Sequence, residues 1–109
     1  MSFFQEDMAH ICREAKRRWG VDAQLFQTAE EVGELLVALN KWRRSNNLLQ
    51  RPQATQGSFR NQEVLEEAAD VLIMLCQVVE MFDADHQDFE AILDTKLRRL
   101  AETLGVPNV

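Results

Sequence analysis

The sequence predicts an all-α protein whose subunit is of the four-helix-bundle type. Apolar residues recur at spacings of three and four over four long segments, which matches the 3.6-residue period of an α-helix. Glycine, proline and short polar residues separate these segments. With 109 residues, of which 46% are hydrophobic and 28% charged, the chain has the length and composition of a soluble protein with one core. We therefore expect residues 1–109 to form a single domain.

The first two helices are predicted on either side of a glycine. The first runs from about Ser2, which is placed to cap its N-terminus, to Trp19, and Gly20 ends it. The second runs from Asp22, the expected N-cap, to about Arg44.

A long loop separates this first half from two further helices. Residues 45–59 lose the helical period and gain Asn, Gln, Pro, Gly and Ser, so they form either a binding loop or a simple connector. The third helix is predicted from about Asn61 to Phe82. Residues 83–88 supply a turn and an acidic start to the fourth helix, which extends to about Leu104.

The second and third helices are apolar around most of their circumference. Each keeps one narrow polar sector, and acids dominate that sector in both helices. A helix with a solvated face would show a wider polar sector. We therefore expect each of these helices to be covered on two sides, by its own bundle and by another subunit. Gly33, inside the second helix, suggests the close approach of another backbone or of a ligand.

Two pairs of acids in these sectors predict a metal site. Glu31 and Glu34 are three residues apart, as are Glu67 and Asp70, so each pair projects from one face of its helix. Carboxylates crowded between apolar helices repel one another and lose solvation unless a cation joins them. Oxygen ligands without supporting His or Cys favour Mg²⁺, or Mn²⁺, over zinc or copper. The simpler alternative is that both stripes are solvated faces.

The distribution of charge along the chain supports a metal site rather than two solvated acidic faces. The net charge of −6 disfavours a nucleic-acid polymer as a partner, but seven acids around the two motifs carry −7, so the remainder of the chain stands at +1. An anionic small ligand could approach once metal is bound. The seven acids are Glu30, Glu31, Glu34, Glu63, Glu66, Glu67 and Asp70.

The two cysteines and the N-terminal residues indicate the compartment. Cys12 and Cys76 lie in apolar helical segments, so we expect buried free thiols in a reducing environment. The first residues resemble neither a signal peptide nor a membrane anchor. We therefore expect a cytoplasmic protein.

The acidic motifs also resemble those of a known family. The pattern EExxE at residues 30–34, followed after a loop by ExxD at residues 67–70, resembles the MazG-like family of all-α nucleoside triphosphate pyrophosphohydrolases. The resemblance extends from about Trp19 to Arg99. It implies a four-helix subunit that forms a dimer or a dimer of dimers, binds Mg²⁺, and hydrolyses a nucleoside triphosphate to the monophosphate and pyrophosphate.

The resemblance assigns roles to individual acids. It implies that Glu31, Glu34, Glu67 and Asp70 are the magnesium ligands. Glu30 would be either a further ligand or the base that orients and deprotonates the attacking water.

Substrate contacts are expected elsewhere on the chain. Lys96 and Arg99 correspond to basic or polar phosphate contacts in the family. Phe26 and Trp42, and also Trp19, are candidates for stacking on the base, although each could instead belong to the core.

Three other interpretations remain open. Phosphoribosyl-ATP pyrophosphohydrolases are similar in architecture and acidic pattern. A non-catalytic helical interaction module would use the apolar faces to bind partner helices and the acids for solubility. A carboxylate-bridged di-iron bundle is disfavoured because it needs paired Glu-x-x-His motifs, whereas His86 follows Asp83 at that spacing and His10 has no such acid before it.

Overall fold

The computed structural model describes residues 6–46 and 61–107, and these residues form four α-helices without a strand. The predicted all-α class is thus confirmed over the described ranges. Ser2 and residues 47–60, which include most of the predicted loop, lie outside them. The helices are α1 (Glu6–Trp19), α2 (Val21–Asn46), α3 (Asn61–Phe82) and α4 (Gln87–Leu104).

A single glycine joins α1 to α2. Gly20 has a φ of 85°, a left-handed conformation that side chains disfavour, and its N–H donates to the Lys16 carbonyl at 2.8 Å. The prediction that Asp22 is the N-cap of α2 is wrong, because α2 already begins at Val21. Asp22 lies instead in the first turn, where its carboxylate faces the positive end of the helix dipole.

The core lies between α1 and α3. Cys12, Cys76 and Val79 are buried together, and Met8 and Phe89 pack against them. Both cysteines are free and buried, as the sequence predicts. Burial raises the pKa of each thiol above its ordinary value, so neither has the character of an active nucleophile.

α2 and α3 form the most extensive helix pair, while α1 packs mainly on α3. Two contacts join the C-terminal part of α2 to the start of α3. Trp42 Nε1 donates to Asn61 Oδ1 at 2.6 Å, and Lys41 Nζ lies 3.8 Å from Glu63 Oε1. Because these contacts join the end of α2 to the start of α3, the two helices are antiparallel.

The turn between α3 and α4 is held by side chains. The backbone N–H of Phe89 donates to Asp83 Oδ2 at 2.7 Å, which satisfies a free donor in the first turn of α4. His86 has a φ of 64° and is buried, and its Nε2 donates to Glu80 Oε1. Glu80 is itself only 1% exposed and lies 3.4 Å from the Arg13 guanidinium. The pairing of His86 with Glu80 gives this histidine a structural role.

Beyond this turn α4 leaves the other helices, so the described helices do not form a closed bundle. α4 makes few close backbone contacts with the described parts of α1–α3. The radius of gyration is 17.1 Å, whereas a compact domain of this length has about 13 Å. Large apolar side chains on α4 remain exposed, among them Ile92, Leu97, Leu100 and Leu104.

α2 is also open on one side. Over residues 21–45, where the burial of α2 is described, only Gln24 and Ala38 are buried, although the sequence predicts cover on two sides. A Cβ at Gly33 would meet no atom within 4 Å, so the close approach predicted there does not occur within the described subunit. In the described ranges, no helix combines the length and apolarity that crossing a membrane requires.

Candidate functional site

The packing of α2 on α3 brings acids from both motifs together. Glu31, Glu67 and Asp70 each offer a carboxylate oxygen, and these three oxygens lie within 4.8 Å of one another. Glu67 and Asp70 are adjacent on α3 because a spacing of three residues returns to the same face. The antiparallel register places Glu31 of α2 opposite them. The structure therefore converts two local sequence patterns into one cluster, which we call the acidic cluster.

Two oxygens of the acidic cluster lack the partner that buried polar atoms normally have. Glu31 and Glu67 are half-buried, and the Oε2 atom of each is buried without a hydrogen bond among the described residues. Burying a carboxylate oxygen without compensation is costly, and a bound cation is one way to supply it. Asp70 is exposed, and exposed acids often cluster without metal. The two buried oxygens without a hydrogen bond are therefore stronger evidence for a cation site than the negative charge of the cluster.

Glu34 is electrostatically part of the same cluster. Repulsion by Glu31 is the largest cause that raises the pKa of Glu34 above its ordinary value, followed by burial and by repulsion from Glu67. Glu34 is exposed and does not belong to the group of three oxygens.

Glu30 lies beside the cluster rather than in it. It is exposed, and its charge makes the smallest of the named contributions to the raised pKa of Glu34. Its role as a ligand or as a base stays a prediction.

The donor set fits a hard divalent cation. Three carboxylates without His or Cys provide the oxygen ligands that Mg²⁺ and Mn²⁺ prefer, and Mg²⁺ usually completes its octahedron with water. Asp70 is exposed, so water can reach the cluster from that side. Glu31, Glu67 and Asp70 would hold the ion.

The predicted phosphate contacts lie apart from the acids in the subunit. Lys96 and Arg99 are exposed on α4 and border a shallow cavity of about 320 Å³ together with Ala91, Ile92 and Thr95. Neither residue forms a salt bridge with the acidic cluster in the described ranges, because α4 diverges from α2 and α3. Their role in phosphate binding stays a prediction.

The predicted base-stacking residues occupy different environments. Phe26 is 72% exposed on α2, and Trp19 is exposed at the end of α1. Trp42 is half-buried, and it borders a cavity of about 320 Å³ with Asn61, Val64 and other residues of α2 and α3. Trp42 thus adjoins open space while its N–H is bonded to Asn61.

The sequence analysis assigned no role to one polar residue next to the acidic cluster. Gln27 Nε2 donates to Glu31 Oε1 at 2.9 Å. The signal in the sequence is a glutamine four residues before a predicted ligand, a spacing at which helical side chains meet.

Comparison of the chain with protein-family models, with curated proteins and with solved structures found no significant match. The geometry and chemistry of the acidic cluster are therefore the main guide to function.

Proposed function

We propose that this chain is a Mg²⁺-dependent nucleoside triphosphate pyrophosphohydrolase, for which Mn²⁺ can substitute. The observation that supports the proposal most is the convergence of Glu31, Glu67 and Asp70 from two helices, with buried oxygens that lack partners. The EExxE and ExxD motifs that supply these acids are the ones that resemble the MazG-like family.

An acidic cluster can bind a polyphosphate only when a cation is bound as well. A nucleoside triphosphate carries about four negative charges, which these carboxylates alone would repel. When bound, Mg²⁺ supplies positive charge to the phosphate oxygens and lowers the pKa of water. The carboxylates thus serve to hold the ion, and the ion makes the site attractive to an anion.

The residues divide into binding and proton-transfer roles. Glu31, Glu67 and Asp70 hold the cation, and Glu34 adds a fourth carboxylate. Glu30 orients the attacking water and accepts its proton. The water oxygen forms a bond to the α-phosphorus, the bond from this phosphorus to the bridging oxygen breaks, and pyrophosphate leaves with the electron pair. The other product is the nucleoside monophosphate.

We further propose that the functional form is a homo-oligomer, either a dimer or a dimer of dimers. Exposed apolar residues on α4 and on the open side of α2, with the extended shape of the subunit, support this assembly. Leu100→Glu on α4 should therefore give monomers in sedimentation velocity at micromolar concentration. Ala91→Glu is the matched control, since it adds the same charge at an exposed position on the face of α4 opposite its exposed apolar residues. A wild-type chain that sediments as a stable monomer would exclude the assembly.

The activity is tested by the products that the purified chain forms from a panel of nucleotides. The panel contains canonical and modified nucleoside triphosphates and phosphoribosyl-ATP, each with Mg²⁺, with Mn²⁺ and with a chelator. We expect metal-dependent release of monophosphate and pyrophosphate, and we expect Asp70→Asn or Glu34→Gln to abolish it with the helix content retained. Glu66→Gln is the control, because it removes one negative charge from α3 outside the cluster. Full activity of Asp70→Asn would remove that carboxylate from the proposed site.

A helical interaction module remains the second candidate, and the exposed apolar residues of α2 and α4 favour it. In that case divalent metal would neither raise the melting temperature nor support turnover, since no ion would bind preferentially to the folded state. A metal-dependent increase in melting temperature together with pyrophosphate release would exclude it.

A further inference from the structure

Gln27 contacts the one α2 carboxylate of the acidic cluster. Its side-chain amide donates to Glu31 Oε1 at 2.9 Å, while Glu31 Oε2 is buried without a partner in the described structure. The two oxygens of Glu31 therefore have different environments. One is bonded along α2, and the other is buried with no hydrogen-bond partner among the described residues.

This contact has little consequence for the stability of the helix. Gln27 is exposed, and a side-chain hydrogen bond between residues four apart on a helix surface adds little to the stability of a helix. The bond acts mainly on the orientation of Glu31. A glutamate side chain has several rotatable bonds, and a hydrogen bond from one donor restricts its terminal carboxylate. Carboxylates that bind metals are commonly held by such hydrogen bonds, which reduce the ordering required when the ion binds.

We infer that Gln27 is a positioning residue, which holds Glu31 Oε1 so that Oε2 faces Glu67 and Asp70 and binds the divalent cation. The inference rests on the proposed metal site and adds to it a residue that touches neither the metal nor the substrate. It predicts that removal of the amide weakens the binding of metal without unfolding the protein.

The chain contains a matched control for this contact. On α3, Gln62 Nε2 donates to Glu66 Oε1 at 3.2 Å, again across one helical turn at an exposed position. Glu66 is not one of the three acids whose oxygens converge. The two glutamines thus make the same kind of bond, and only one of them bonds to a predicted ligand.

The test uses Gln27→Met and Gln62→Met in the full chain, with Mn²⁺ alone as the probe. Methionine preserves the length of the side chain and its helix propensity but cannot donate a hydrogen bond. Free Mn²⁺ is measured by electron paramagnetic resonance during titration, and the melting temperature is measured without metal. We expect Gln27→Met to weaken Mn²⁺ binding about 10- to 100-fold, as is typical when the partner of a metal ligand is removed. Gln62→Met should bind as the wild type does.

Turnover gives a second measurement that separates positioning from ligation. In Gln27→Met, saturating Mn²⁺ should restore most of the turnover, because the ligand itself is still present. In Glu31→Gln it should not, because the ligand is lost. A mere effect on folding would lower the metal-free melting temperature of Gln27→Met below that of Gln62→Met, and this would overturn the inference.

The outcomes distinguish the inference from the function on which it rests. If the wild type binds Mn²⁺ and Gln27→Met binds it equally well, Gln27 has no positioning role and the metal site stands. If the wild type binds no Mn²⁺, the metal site fails and the role of Gln27 fails with it.

Discussion

Removing one carboxylate from the acidic cluster should stabilise the metal-free protein. Glu67→Gln keeps the shape of the side chain and abolishes its repulsion with both Glu31 and Asp70. At the limiting separation of 4.8 Å each pair costs about 0.9 kcal/mol in water and about 3.5 kcal/mol at an effective dielectric constant of about 20. Because Asp70 is exposed, we take the value for water, and the variant gains about 1.8 kcal/mol from the two pairs. With an unfolding entropy of about 2.1 cal/mol/K per residue over 109 residues, the melting temperature rises by about 8 °C.

The assay is thermal unfolding at one fixed protein concentration and low salt, with a chelator or with saturating Mg²⁺. Without metal, Glu67→Gln should melt above the wild type, and the difference should shrink in 1 M salt, which reduces the Debye length to about 3 Å. With Mg²⁺ the order should reverse, because the wild type gains stability from the bound ion and the variant lacks a ligand. Glu66→Gln, which makes the same change of charge one residue away, should show neither effect.

Two results would refute this reasoning. If Glu67→Gln is no more stable than Glu66→Gln without metal, the three carboxylates are not crowded. If Mg²⁺ raises the melting temperature of Glu67→Gln and of the wild type equally, the ion is not bound at Glu67.

Two further predictions concern Glu34 and the turn before α4. Because the pKa of Glu34 is raised above its ordinary value of 4.5, the folded metal-free protein retains this proton to higher pH than the unfolded chain does. Its contribution to stability is therefore present below that ordinary value and is lost as pH rises through the raised pKa. Melting temperatures between acidic and neutral pH should fall less steeply for Glu34→Gln than for the wild type, and parallel curves would contradict the shift. At the turn, His86→Ala removes a partner of the buried Glu80 and should lower the free energy of unfolding in urea by about 3 kcal/mol. His86→Gly should lower the free energy of unfolding by about 1 kcal/mol less than His86→Ala does, because glycine adopts the left-handed φ of 64° without strain. An equal decrease in both variants would show that backbone strain at residue 86 plays no part.

Local patterns predicted the helices well because helical structure depends on neighbours three and four residues away. α3 begins and ends at the predicted Asn61 and Phe82, and Gly20 adopts the left-handed conformation that ends α1. The cap at Asp22 was mispredicted because an N-cap preference does not outweigh the backbone geometry set two residues earlier by Gly20.

Long-range packing was much less visible in the sequence. The pairing of His86 with Glu80 was not anticipated, since a side-chain partner across a turn depends on rotamers and burial. No role was assigned to Gln27, although its bond to Glu31 spans only one helical turn. The apolar stripe of α4 predicted a packed helix, but apolarity does not specify which surface covers it. Within the subunit that stripe remains exposed.

The sequence by itself determined the helical class and the presence of two acidic pairs, each on one helix face, because both follow from the 3.6-residue period. Only the tertiary structure decided that Glu31, Glu67 and Asp70 converge, that Glu34 and Glu30 stand beside them, and that Lys96 and Arg99 lie elsewhere. The physical reason is that the register between α2 and α3 is set by side-chain packing and by contacts such as Trp42 with Asn61. These interactions join residues distant in the chain, and local spacing carries no information about them.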